Sequence, residues 1–415
     1  MFFKLINFKS SLVSNFFSLV ILQGANYIFP LLTVPYLFRT LGVEVFGLTS
    51  FATAFSQYFI VLTDFGFNLY GVQFISANRD EKQARDVFFV NVLISQILLF
   101  VIGLVILVLV IFSFDKFYHN CWLYLLSYTT VFGTVLMPAW FFQGMEQMKY
   151  ITKINIVTRT LAIIPIFFLV KSDSDYLLVP FFYGLGSITS GMIAIYIVKK
   201  KFNVSLKYSL VSISRIEEYL RNSSQFFMSR ISVSLYTVSN TFVLGLVGGN
   251  MAAGYYSAAE KLYSTIQNVY SPLNGAIYPY MVKHKDLKMF SKIFKAVVLL
   301  NSIVLPIAIY YADFIMLLIY KNVASISITV FQVLLGVCLV TIPSILLGYP
   351  LLGAFGHSKY TNKTVIISSI FHISGLTILF LTNNITVITV AVLVFLTEFT
   401  VLSLRIKGIK KLGLN

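Results

Sequence analysis

The residues of this chain that could do chemistry lie inside stretches that should be surrounded by hydrocarbon. One stretch carries Ser50, Thr53, Gln57, Asp64 and Asn68, at spacings of 3, 4, 7 and 4, which places all five on one face of a helix. A second carries Ser257, Glu260, Ser264, Gln267, Ser271 and Asn274, with Lys261 beside Glu260. A third carries Ser223, Arg230, Ser234, Thr237 and Thr241. Single hydroxyls or amides in such places act as glue between helices, at about 0.6 kcal/mol each. A full charge is different, because Arg at a bilayer centre costs at least about 2.5–3.5 kcal/mol unless it meets water or a partner. Arg159, Arg230 and Lys261 are the basic residues inside such stretches. The stripes therefore predict a hydrated cavity between helices. Asp64 is the most deeply placed acid of the first half and the candidate for proton coupling, with Glu260 as the second candidate for ion coupling.

Catalytic chemistry has no comparable footing. The sequence shows no Gly-rich phosphate loop, no His/Cys cluster with metal-ligand spacing and no paired carboxylates in a long outer loop. No catalytic residue, metal or cofactor is expected, and no segment is long enough for a nucleotide-binding domain. Cys121 and Cys338 are isolated thiols read as structural. His119, His284 and His357 fall in predicted connections, while His372 reads as a helix contact that is satisfied by its neighbours. Glu398 sits where Arg405 can serve as a structural partner.

The elements that must hold these residues follow from composition. The chain is 58% hydrophobic and 11% charged, over 415 residues, and its mean hydropathy is +0.85. A net charge of +16 would suggest nucleic acid in a soluble domain, but here topology and anionic headgroups explain it and no nucleic acid is expected. Each crossing needs about 20 apolar residues, so the length suits roughly twelve crossings with short loops. Basic residues crowd every second connection: Lys199–Lys201, then Lys283, Lys285, Lys288, Lys292 and Lys295, and finally Arg405, Lys407, Lys410 and Lys411. The alternate connections and their helix margins carry Arg39, Lys116, Lys171 and Lys321 alone out of 31 Lys and Arg residues. Because Lys and Arg resist translocation, both termini are expected in the cytoplasm. Lys4 and Lys9 precede a first span read as uncleaved.

The longest basic connection divides the spans six and six, giving an N-lobe over 1–200 (spans 1–6), a cytoplasmic linker over 201–221 and a C-lobe over 222–415 (spans 7–12). A weak repeat supports the division. Gly42, Gly47, Ser50 and Ala52 fall on Gly249, Gly254, Ser257 and Ala259 at one constant offset. The expected fold is thus an all-α integral membrane protein of about twelve transmembrane helices, in two pseudo-symmetric six-helix lobes around a central cavity. Pro30 and Pro35, inside the first span with Gln23, Asn26 and Thr33, are expected to bend or break it and form a hinge.

Four segments in order, LQGANYIFPLLTVPYLFRTLG (22–42), FSQYFIVLTDFGFNLYG (55–71), PAWFFQGMEQMKYIT (138–152) and GYYSAAEKL (254–262), resemble those of the O-antigen flippases (Wzx-type). That family lies in the polysaccharide branch of the multidrug/oligosaccharidyl-lipid/polysaccharide exporter superfamily. The resemblance implies two six-helix lobes around a V-shaped cationic cavity. It also implies alternating access, coupled to an ion gradient, for an undecaprenyl-pyrophosphate-linked oligosaccharide moved from the inner to the outer leaflet of the inner membrane. In that reading Arg159, Arg230 and Lys261 engage the anionic carrier, and Gln57, Ser234 and Thr237 bind substrate along the path. The lipid bilayer, an O-antigen polymerase and a chain-length regulator are the expected partners. The alternatives are a drug/cation antiporter of the same fold, which should have an acid-dominated cavity, and a membrane O-antigen polymerase or glycosyltransferase, which should have a large outer loop.

Overall fold

A backbone in hydrocarbon must satisfy its own polar groups, which an α-helix does within one segment. Among the described residues of this computed structural model, 11–414, all regular structure is helical. Lys4 and Lys9 lie outside them. In chain order the helices are α1 (Ser11–Asp64), α2 (Phe67–Ala77), α3 (Lys82–Ser113), α4 (Asp115–Tyr118), α5 (Cys121–Leu136), α6 (Ala139–Gly144), α7 (Met148–Leu169) and α8 (Leu178–Lys201). They continue as α9 (Ile213–Thr237), α10 (Ser239–Val243), α11 (Gly249–Asn268), α12 (Ser271–His284), α13 (Leu287–Tyr310), α14 (Ala312–Tyr320), α15 (Ser325–Leu346), α16 (Ser358–Leu381) and α17 (Val387–Lys411). Wider π-type turns, Leu244–Gly248 and Leu347–Gly353, extend α10 and α15.

Among the described residues, nine helical stretches are long and apolar enough to cross a bilayer, and the first of them, Ile28–Ala77, holds the end of the first expected span, 12–38, and all of the second, 44–73. The run from α9 to α12 is not among the nine. Its polar stripes, with Arg230, Glu260 and Lys261, dilute the apolar surface that would face lipid. Apolarity by itself therefore marks a multi-pass membrane protein without reaching a count of twelve.

The repeat is visible in the backbone. Gly42 leaves helical geometry inside α1 with φ 73° and ψ 166°, and its counterpart Gly249 does so with φ 84° and ψ 175°. Positive φ is reached without strain by glycine, which has no Cβ. Pro30 and Pro35 lie inside α1, and Gly42, seven residues beyond Pro35, is the residue there that departs from helical φ and ψ. The second matched pair, Gly47 and Gly254, pack face to face. A Cβ on Gly47 would come within 2.6 Å of the Gly254 nitrogen, and one on Gly254 within 2.2 Å of the Val43 oxygen. Small residues permit such close approach of helices in membranes.

Packing divides the chain into two compact units, Met1–Phe29 with Ala52–Ile231, and Pro30–Phe51 with Ser232–Asn415. These packing units do not coincide with the lobes expected from the count of spans, 1–200 and 222–415, for two local reasons. Residues 30–51 join the second unit through the glycine pair and through Phe51, whose ring stacks on Phe242 at 5.1 Å. The expected linker, for its part, is docked on the first unit. Asn91 donates from Nδ2 to the Leu210 carbonyl at 2.9 Å and accepts from the Ser212 N–H at 2.9 Å, while Val204 and Tyr219 are buried.

Aromatic rings form the core of the first unit. Phe74 stacks on Phe88 at 4.0 Å, and Phe88 meets Tyr219 and the edge of Trp140. Trp140 lies over Gly71, where a Cβ would come within 2.9 Å of the indole. Arg79 ties two connections together by donating to the Gly144 carbonyl and pairing with Glu146 at 3.0 Å.

Candidate functional site

In the first unit the site begins at a break in a helix. α1 ends at Asp64, Phe65 and Gly66 turn the chain with φ of 43° and 81°, and α2 starts at Phe67. The first turn of a helix leaves backbone N–H groups without intrahelical acceptors. Asp64 Oδ1 accepts one of them, the Asn68 N–H, at 3.1 Å. The acid chosen for ion coupling therefore also caps α2. α9 passes close to this turn: a Cβ on Gly66 would come within 2.7 Å of the Ser223 oxygen and the Phe227 nitrogen, and Phe65 stacks on Phe227 at 4.5 Å. Arg230 follows Phe227 by about one helical turn, is exposed, and brings its positive charge to bear on Asp64. Asp64 and Arg230, assigned to different spans, are thus brought together. Arg159 is exposed on α7 and stands near Tyr183 of α8 instead. Gln57 is half-buried on α1.

In the second unit the adjacent charges of α11 diverge, as neighbours about 100° apart on a helix must. Glu260 is half-buried and accepts from Thr241 Oγ1 at 3.0 Å, while Thr241 Oγ1 and Ser257 Oγ lie 3.5 Å apart. Lys261 is exposed and borders a depression shared with Pro30, Leu31, Pro35 and Tyr320. The stripe on α9 continues through half-buried Ser234 to exposed Thr237 at the end of the helix. Basic groups thus remain on accessible faces, whereas the acids are engaged by an N–H or a hydroxyl.

A second polar centre in this unit was legible only as isolated residues. His372 is fully buried, with Nδ1 2.8 Å from Thr397 Oγ1 and Nε2 3.0 Å from Asn240 Oδ1. This is the satisfied helix contact expected for it. Arg405 is 7% exposed and donates from Nη1 to the Ser344 carbonyl at 2.6 Å and to Ser344 Oγ at 3.2 Å, and from Nε to Thr364 Oγ1 at 3.4 Å. Glu398, seven residues earlier on α17, is within electrostatic reach of Arg405. The seven-residue spacing of the two charges is the sequence signal for a shared helix face, but nothing linear ties them to Ser344 or Thr364. Among the described residues no group of His, Cys, Asp and Glu is arranged to hold a metal ion.

A family model described as polysaccharide biosynthesis protein matches residues 12–285. A candidate O-antigen transporter of Escherichia coli (strain K12) is 34% identical over 275 residues, which are 65% of this chain and 65% of that protein. The match therefore spans just under two thirds of that relative. A second candidate O-antigen transporter, from Shigella dysenteriae, is 28% identical over 67% of this chain and 69% of its own. Among solved structures, lipid II flippase MurJ in an inward closed conformation superimposes with a TM-score of 0.73 at 14% identity, covering 96% of this chain and 87% of that one. An inward-facing MATE family multidrug resistance transporter of the MOP superfamily gives 0.67 at 13% identity, covering 92% and 96%. At such identities these likenesses speak for the fold.

Proposed function

The chain belongs to the polysaccharide biosynthesis protein family, and from that premise we propose that it is a flippase. It moves undecaprenyl-pyrophosphate-linked O-antigen repeat units from the cytoplasmic to the periplasmic leaflet of the inner membrane, by alternating access, with both termini cytoplasmic. About twelve crossings in two six-helix lobes supply the frame, with Pro30 and Pro35 as hinge positions. A head of several sugars and two phosphates cannot enter hydrocarbon, whereas a polyprenyl tail can stay in it, so the task needs a hydrated cationic face and no bond cleavage. The observation that carries the reading is α9. It is too polar to count among the apolar spans and presents Arg230 exposed, with Ser234 and Thr237 on the same stripe. A planar guanidinium matches phosphate oxygens with two parallel donors, which an ammonium cannot do. Arg230 is the pyrophosphate-capturing residue, Arg159 and Lys261 assist, and Gln57, Ser234 and Thr237 meet sugar hydroxyls. Asp64 carries the coupling ion with Glu260 as its counterpart, and release of Asp64 from Arg230 links ion and substrate. The O-antigen relatives named above support this substrate class. The exposure of the bases, set against the engagement of the acids, disfavours a cation antiporter.

The test is surface O-antigen at measured protein levels. Arg230→Ala should lose most of it, at least about tenfold, and Arg230→Lys should keep part. A well-expressed Arg230→Ala protein with full surface O-antigen would remove Arg230 from the path. In a deletion strain, lipid-linked units should accumulate in the inner leaflet; unpolymerised units in the outer leaflet would indicate a polymerase instead.

A further inference from the structure

The second unit contains a cavity of about 390 Å³ that none of the positions discussed above explains except Arg405. Its walls are Asn274 and Tyr278 of α12, Ile345 of α15, Tyr349 and Pro350 of the π-type turn, and Arg405 of α17. We propose that this cavity is a binding site for a lipid phosphate, with the phosphate on Arg405 and the first part of the hydrocarbon chain along the tyrosine, isoleucine and proline walls.

The guanidinium is held as a built feature. The backbone departs from α-helix at Gly348, with φ −72° and ψ −113°. A Cβ there would come within 2.9 Å of Arg405 Nη1 and 3.3 Å of Nη2, so the glycine makes the space that the guanidinium fills. The bonds to Ser344 and Thr364 occupy Nε and Nη1. Nη2, with two N–H donors of its own, has no acceptor among the described residues. Glu398, seven residues earlier on the same helix, is within electrostatic reach of the guanidinium, but among the described residues the two form no ion pair. The positive charge is therefore not cancelled by direct pairing at the cavity.

The second observation is Asn274, whose amide oxygen is buried with no hydrogen-bond partner among the described residues. Rotation about χ2 presents either its oxygen to a P–OH or its NH₂ to a phosphate oxygen. The rest of the lining is largely apolar. A free inorganic anion has no use for two tyrosine rings, which meet edge to face at 6.2 Å. A phosphate ester with a hydrocarbon chain uses both ends of the cavity. Its position agrees: α12 ends in Lys283 and His284, and α17 in Lys410 and Lys411. Along the helix axes, Asn274 and Arg405 lie about 8–14 Å short of those basic ends, at 1.5 Å per residue, which is the depth of a headgroup layer and the chain beneath it. The site shares no residue with the Arg230 face and does not depend on the transport reading.

Direct binding to the purified full chain in detergent, read by native mass spectrometry, tests it with four probes: undecaprenyl phosphate, dioleoylphosphatidylglycerol, dioleoylglycerol and inorganic phosphate. At least one phospholipid probe should bind while dioleoylglycerol does not. Preference for undecaprenyl phosphate would identify a polyprenyl carrier, and equal binding of phosphatidylglycerol would identify a bilayer lipid. Arg405→Gln should weaken binding about tenfold or more, with Arg405→Lys retaining part. Gly275 also lines the cavity, and a Cβ there meets nothing within 4 Å. Gly275→Leu should therefore fill the space without touching the guanidinium, and it decides the matter where Arg405→Gln is unstable. Unchanged lipid binding in Gly275→Leu, equal binding of dioleoylglycerol, binding of inorganic phosphate alone, or no binding of either phospholipid would each overturn the assignment. None of these readouts involves transport, so a failed flippase reading leaves the result intact.

Discussion

The two units solve the same problem, a dry helical interior, with opposite chemistry. The first packs rings: Phe74, Phe88, Trp140 and Tyr219 meet one another, and Gly71 lies flat beneath Trp140. The second adds buried polar groups to an aliphatic core: His372, Asn240 and Thr397 in one chain, Arg405 with Ser344 and Thr364 in another. Rings fill volume and tolerate no void, but they ask nothing of their neighbours' hydrogen bonds. Buried polar groups cost little while every partner is present and a great deal when one is lost. The first unit is therefore filled by a wedge of rings, and the second adds matched polar contacts to its aliphatic core.

The largest expected effect comes from emptying the aromatic wedge. Phe88→Ala leaves a hole between Phe74, Trp140 and Tyr219 and should cost about 3 kcal/mol, read as a lowered thermal unfolding midpoint in detergent. Phospholipid binding at the Arg405 cavity should persist in the folded fraction, because that cavity is lined entirely by the other unit.

The polar centre should respond less steeply to one substitution. His372→Leu leaves Asn240 Oδ1 and Thr397 without the ring nitrogens, at an expected cost of about 1–2 kcal/mol. A loss exceeding that of Phe88→Ala, measured in the same detergent, would reverse the comparison.

The smallest effect belongs to Arg39. It is exposed, and donates to the Leu318 carbonyl at 3.1 Å and to that of Ile319, at the end of α14. Arg39→Ala should change stability by less than about 1 kcal/mol, since solvent replaces the donor at little cost. A collapse in protein level would show that this end staple matters more than either core.

Much of the site was readable along the chain, residue by residue and not as a constellation. Glycine spacing gave Gly42 and Gly249 the same role, and both adopt it. The segments with the densest resemblance turn out to meet in space: Gly71 lies against Trp140, and Lys261 borders the depression lined by Pro30 and Pro35. Asp64 was found by its charge and depth, but its capping of Asn68 was not, because a span of 44–73 was expected as one helix. Nothing in the periodicity announces a turn at Phe65 and Gly66 inside an apolar run.

Composition and the alternation of charge suffice for a helical, many-times-spanning chain, because hydrocarbon leaves the backbone no other way to satisfy itself and Lys and Arg resist crossing it. Helical periodicity suffices for the polar stripes, since a face is a matter of angle along one chain. What it cannot supply is which stripe meets which. The approach of Arg230 to Asp64, the docking of 201–221 on Asn91, and the cradle that Gly348, Ser344 and Thr364 make for Arg405 join residues from 41 to 166 positions apart. Those pairings were decided by the packing of helices, where a missing Cβ or a released carbonyl matters only once the partner has arrived.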